Sequence, residues 1–357
     1  MSNENNEERI SKFEEINKLK QNIKENIDSL KKDISVSLQS FKNKIGTISS
    51  IEKVLKTTTK SFLDYYGDFP SINNEVRTKL SIEKSNLITS ITKFFNDVDL
   101  EIMFLYISIL KMLDVDLVEN FMDNAYEIIK DQTHNSVFTA PDNQVPDSIN
   151  NFYGLAIVSE ISNLAYIEFM DLQKIKEYIK LELSYFNPNA LYNNYFLLNC
   201  VNLLKKKGFL IDVQKDEILQ KLNDLELSKI ENYNVISDTF YFLCSIILLN
   251  PNGKLEKLRK KYIQILKEFT SNLNLNELTI TELSQLLLII DLLNIKDQEQ
   301  ELVADLLDTI INTTTFFNSD MQNKKPYWKQ DIISLKIELE MLFWVLIAAL
   351  EYQEFIK

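Results

Sequence analysis

Few side chains in this sequence are suited to covalent chemistry. His134 is the single histidine and Cys200 and Cys244 the two cysteines among 357 residues. A serine or cysteine nucleophile needs a neighbouring base, and His134 stands in the polar stretch Asp131-Gln132-Thr133-His134-Asn135, where a surface residue is expected. Both cysteines fall inside apolar runs, which suits small buried hydrophobes rather than zinc ligands. The five glycines are scattered singly, so no phosphate-cradling loop is present. The expected catalytic and metal-ligating sets are therefore empty, and no cofactor is expected.

Carboxylates and aromatics remain. Asp147, Asp238 and Glu282 fall near the starts of three apolar helices, hence on one rim if those helices run alike. Paired carboxylates there are suited to acid–base work, but helix N-termini also attract acids through capping and the dipole. Asp291 is the one acid inside the apolar run Leu286–Leu293; buried, it needs a partner or a raised pKa. Phe152, Tyr153, Tyr195, Phe196, Phe240 and Tyr241 lie at the starts of apolar helices. They either line a lipid or peptide cavity or fill a core. These six rings and four acids form the candidate ligand-binding set.

The elements that must position them follow from periodicity. Nearly all-apolar helices are expected over 100–113, 151–164, 192–204, 239–249, 283–293 and 339–350. Between them lie amphipathic helices over 117–130, 172–183, 213–225, 255–273 and 302–313. Aligning the apolar set on Phe104, Tyr153, Phe196, Tyr241, Leu286 and Phe343 gives intervals of 49, 43, 45, 45 and 57 residues, about the length of a helical hairpin. A helix that is apolar all round must be buried on every side, whereas an amphipathic one covers a surface. The alternation predicts an all-α fold, residues 62–357 forming an α/α toroid of about six hairpins; an open solenoid is the competitor, and the apolar last helix, a poor exposed end, favours closure. Upstream, apolar residues from Ile10 to Leu55 recur at steps of three and four. They predict an amphipathic, coiled-coil-like helical arm over 1–60 that wants a partner along its length: the rest of the chain, a second copy of it, or another protein.

Composition agrees. A hydrophobic share of 45% supports a large core, and 5 Gly with 6 Pro leave few turns for a β-rich fold. A net charge of −13 argues against a nucleic-acid surface, which needs clustered cations. The longest apolar run considered, 341–350, is too short to span a bilayer, and the N-terminus lacks the pattern of a secretory signal. With two cysteines in apolar runs, a reducing, cytoplasmic location is expected.

The stretches Ser136-Val137-Phe138-Thr139-Ala140-Pro141-Asp142, Pro146-Asp147-Ser148 and Phe152-Tyr153-Gly154-Leu155 resemble the repeat of the prenyltransferase and squalene-cyclase superfamily. Thr315-Phe316-Phe317-Asn318 with Pro326-Tyr327-Trp328 and Asp331 is similar to the same unit, and Ser237-Asp238-Thr239-Phe240-Tyr241 to its short form. The resemblance covers residues 90–357 and implies an α/α toroid. The family's zinc-holding Asp, Cys and His set and its Asp-x-Asp-Asp acid cluster have no counterparts here. Asp97-Val98-Asp99 and Asp114-Val115-Asp116 are the nearest strings. Two functions are therefore expected in order. The first is a non-catalytic interaction protein, a toroid scaffold whose arm docks or dimerises through residues 10–55. The second is an isoprenoid- or lipid-binding protein, or a metal-independent prenyltransferase- or terpenoid-cyclase-like enzyme, using the central cavity.

Overall fold

The computed structural model describes residues 61–80, 82, 87–88, 98–115, 119–140, 145–161, 170–227, 234–250, 256–270, 274–313 and 332–356. All belong to one compact unit, Lys60–Lys357. The arm expected over 1–60 and the repeat-like stretch 315–331 lie outside the described residues.

Twelve α-helices account for most of the described chain: α1 (Asn74–Lys79), α2 (Leu100–Met112), α3 (Glu119–Asp131), α4 (Ser148–Ile161), α5 (Leu172–Ser184), α6 (Leu191–Lys206), α7 (Lys215–Asn223), α8 (Val235–Leu249), α9 (Glu256–Thr270), α10 (Ile280–Leu292), α11 (Gln300–Thr313) and α12 (Ile332–Glu351). Their starts carry the expected chemistry. The Asp99 carboxylate accepts from the Ile102 N–H at 2.8 Å at the head of α2, and Asp171 and Asn234 cap α5 and α8 in the same way. A capping box starts α10, with Thr279 and Glu282 accepting from each other's backbone N–H.

Two kinds of helix separate by burial. In α2 every residue from Ile102 to Leu110 is buried, and α12 buries an unbroken run from Leu342 to Leu350. In α5 only Ile175 and Ile179 are fully buried, and in α7 only Ile218 and Leu222. The apolar helices pack in order, α2 on α4, α4 on α6, α6 on α8, α8 on α10 and α10 on α12; α12 returns to α2, closing the cycle. The amphipathic helices cover its outside. Here α3 lies on α2, α5 on α6 and α4, α7 on α8, and α11 on α10; α9 reaches α8 through Tyr262 and Phe242, with ring centroids 5.3 Å apart.

One short hairpin interrupts the helices, a feature the helical pattern did not foretell. Strands β1 (Thr133–His134) and β2 (Val137–Phe138) pair antiparallel around Asn135 and Ser136, both at positive φ, the arrangement a two-residue hairpin turn requires. The hairpin leaves His134 exposed and drives Phe138 inward. Asn151 clamps Phe138, accepting from its N–H at 3.2 Å and donating to its carbonyl at 3.1 Å. Phe138 lies flat over Gly154, where any Cβ would overlap its ring.

The C-terminal ends of α2, α4, α6, α10 and α12 gather at one end of the cycle, where Met112, Glu160, Lys206, Asp291 and Glu351 all act on the segment Ser61–Ile72. The segment from Ser61 to Ile72 crosses that end and enters the centre. Phe62, Leu63, Tyr66, Phe69 and Ile72 are all buried. The backbone N–H groups of Ile72 and Phe69 donate to the Met112 carbonyl at 2.8 Å and to the Glu160 carboxylate at 3.2 Å. Lys206 at the end of α6 donates to the carbonyls of Asp64 and Tyr66 at 2.7 and 2.9 Å. Gly67 takes φ +83°, a left-handed turn that lets the segment double back beside Ser159 and Leu203.

Candidate functional site

The aromatic candidates converge on the middle of the cycle. Phe104 of α2 lies 5.3 Å from Phe152 and 5.2 Å from Tyr153 of α4, centroid to centroid, and 5.4 Å from Phe343 of α12. Tyr153 meets Phe196 of α6 at 5.5 Å, Tyr195 meets Tyr241 of α8 at 5.3 Å, and Phe240 meets Trp344 at 5.3 Å. These separations fall in the edge-to-face and tilted range that ring quadrupoles prefer. The entering segment completes the cluster. Tyr66 packs edge-on against Phe152 at 5.0 Å and its hydroxyl bonds the Tyr195 hydroxyl, Phe62 stacks on Phe240 at 5.8 Å, and Phe69 meets Phe343 at 5.9 Å. The C-terminal half of the centre is thus filled by side chains.

At the N-terminal end a cleft remains. It measures about 30 Å³ and is lined by rings from α2, α4, α6, α8 and α12 together with Glu101 and Glu340. Tyr192, 44% exposed, stands at its lip, 5.2 Å from Tyr241 and hydrogen-bonded to Tyr153. Lys336 forms an ion pair with Glu101. Burial pushes the Glu340 carboxyl above its ordinary pKa and the neighbouring Glu101 charge adds to this, opposed by Lys336 and by a hydrogen bond from the Trp344 indole. Burial likewise holds Tyr153 and Tyr241 far above the usual phenol range, so both stay neutral.

The carboxylate candidates go elsewhere. Asp147 accepts from the Asn150 backbone and side-chain nitrogens, both at 2.7 Å, and so caps α4. Asp238 accepts from the Asn234 N–H at 2.8 Å. Burial pushes Glu282 up, but hydrogen bonds from the Thr279 N–H, the Asn234 amide and the Thr279 hydroxyl hold it below its ordinary value. Asp291 lies at the opposite end of the cycle, paired with Lys296 at 2.7 Å. Lys296 also donates to the Glu351 carbonyl at 2.9 Å and sits 4.4 Å from the Tyr352 ring centroid. Burial and the Asp291 charge raise the Glu351 carboxyl to about 7. The ten sequence candidates therefore separate into a central aromatic cluster, three acids engaged at helix starts and one acid in a C-terminal ion-pair network.

Sequence reasoning passed over Glu101, Tyr192, Glu340, Trp344 and Lys336 as site residues. Glu340 carried a readable signal, since Glu340, Phe343 and Trp344 sit three and four residues apart, on one face of α12. Tyr66 and Phe69 lie in Tyr65-Tyr66-Gly67-Asp68-Phe69-Pro70, whose glycine and proline mark a turn in the sequence and nothing more.

Nucleophilic chemistry finds little support. Cys200 and Cys244 are fully buried and burial raises both thiols far above their ordinary pKa, so neither forms a ready thiolate. Among the described residues no three His, Cys, Asp or Glu side chains form a group able to hold a metal ion, and no helix is long and apolar enough to cross a membrane. No protein-family model, curated protein or solved structure matches the chain.

Proposed function

We propose that the chain is a non-catalytic interaction protein: an α/α toroid of the prenyltransferase and squalene-cyclase kind serving as a rigid scaffold, with residues 10–55 as the docking or dimerising surface. The observation that carries this reading is the filling of the centre by Phe62, Tyr66 and Phe69, where an isoprenoid or a cyclase substrate would have to lie. The closed cycle of apolar helices favours the toroid. The remaining cleft, about 30 Å³, is small beside the roughly 300–1,000 Å³ typical of ligand pockets. The alternative, a lipid-binding or prenyl-transferring protein, would require those three rings to leave. A fluorescent farnesyl analogue separates the two: no saturable binding is expected to the full-length protein, and stoichiometric binding would establish the lipid reading instead.

A further inference from the structure

We propose that the cleft at the N-terminal end of the cycle binds a primary ammonium group, carried by a small alkylamine or by a lysine side chain. This is independent of the scaffold reading, since it concerns the open end of the centre and not residues 10–55.

Charge gives the sign of the ligand. Glu101 and Glu340 line the cleft, and the only cation beside them among the described residues is Lys336, which pairs with Glu101. Asp99, one residue before α2, also acts on Lys336. Three carboxylates thus surround one lysine. Asp99 is committed to the α2 cap and Glu101 to its ion pair with Lys336, which leaves Glu340, hydrogen-bonded by the Trp344 indole and sharing the field of Lys336, as the acid open to a further cation in the cleft. An anionic ligand would meet uncompensated negative charge there.

The lining gives the chemical type. The faces of Tyr, Phe and Trp carry negative quadrupole potential and attract organic cations. Tyr153, Tyr192 and Tyr241 add neutral hydroxyl oxygens, and an ammonium has three N–H donors to place among such oxygens and a carboxylate. A hard divalent ion would want six or more oxygens, several of them charged, and the cleft offers mostly ring carbon.

Size narrows the class. A space of about 30 Å³ holds one or two water-sized groups. An –NH₃⁺ head is of that size, whereas a planar guanidinium or a quaternary ammonium is larger. Tyr192 at the lip, 44% exposed, leaves a path for the alkyl stem to point outward.

Titrating the full-length protein with n-butylammonium at constant ionic strength tests the assignment, read by Trp344 fluorescence in a Trp328→Phe background. A saturable change is expected with n-butylammonium and none with tetramethylammonium or guanidinium. Glu340→Gln should weaken binding about tenfold, the scale of one lost charge contact. A blocked lysine amide and n-butylammonium, compared side by side, distinguish the sources. Tighter binding of the lysine amide favours a protein side chain, and equal binding a free amine. Absence of saturation, an equal response to tetramethylammonium, or unchanged affinity in a folded Glu340→Gln protein would overturn the proposal. If circular dichroism shows that variant unfolded, Tyr192→Ala at the exposed lip replaces it, and unchanged affinity there is equally fatal.

Discussion

Glu160 shows how one buried carboxyl links the entering segment to pH. It is 5% exposed, and burial raises its pKa from 4.5 to about 7, against the Phe69 N–H hydrogen bond and the charges of Lys111 and Lys206. Between those two values the folded chain keeps a proton that the unfolded chain has released. The stability contributed by this group is therefore complete below about pH 4.5 and falls as pH rises through 7. Glu160→Gln keeps an acceptor oxygen for Phe69 and removes the charge. In urea unfolding the variant should match wild type near the acid end of that window and exceed it by roughly 1–3 kcal/mol at about pH 8. Parallel profiles for the two proteins would show that Glu160 does not control this dependence.

At the scale of the element, helix starts do the positioning. Thr279 and Glu282 bracket the first turn of α10, and Glu282 also accepts from Asn234 at the head of α8 at 3.0 Å. Thr279→Ala should lower the unfolding free energy by about 1 kcal/mol, with Glu282→Ala close behind because it loses the bond to α8 as well. Chemical denaturation measures both, and a change within a few tenths would mean that the box adds nothing beyond water. Periodicity made the helices legible. Burial on all sides leaves no polar face in α2, α8 or α12, and their starts were read to within a few residues in α2 and α8, though α12 begins seven residues before the expected 339. The convergence of Phe152, Tyr153, Phe196 and Tyr241 was legible for the same reason. Glu101 and Lys336 were not, because their pairing joins residues 235 positions apart, and no local pattern encodes such a contact. The hairpin at Thr133–Phe138 escaped because it rests on Asn135 and Ser136 in left-handed backbone, which polar residues only hint at.

For the whole molecule, the proposed docking segment, residues 10–55, ends ahead of Ser61, which caps the short helical turn Phe62–Asp64. Removing residues 1–58 leaves Phe62, Leu63, Tyr66, Phe69 and Ile72 in place, so a folded helical protein is expected that has lost self-association or partner binding. Extending the deletion through residue 72 strips all five from the centre. At roughly 1.5–3 kcal/mol each, their loss rivals the whole 5–15 kcal/mol by which a domain is stable, and unfolding is expected. Light scattering and circular dichroism on the two deletions check this. A monomeric full-length protein with an aggregating 1–58 deletion would place the arm inside the core and end the docking idea.

The route of the chain through the centre also has a mechanical consequence. Residues 1–60 lead directly into the segment whose rings hold the middle of the cycle, and its backbone is tied to the ends of α2, α4 and α6 by Ile72, Phe69 and Lys206. A pull on the chain at Ser61 therefore reaches the innermost packing first and is shared among three helix ends, so the lead-in and the keystone are the same dozen residues.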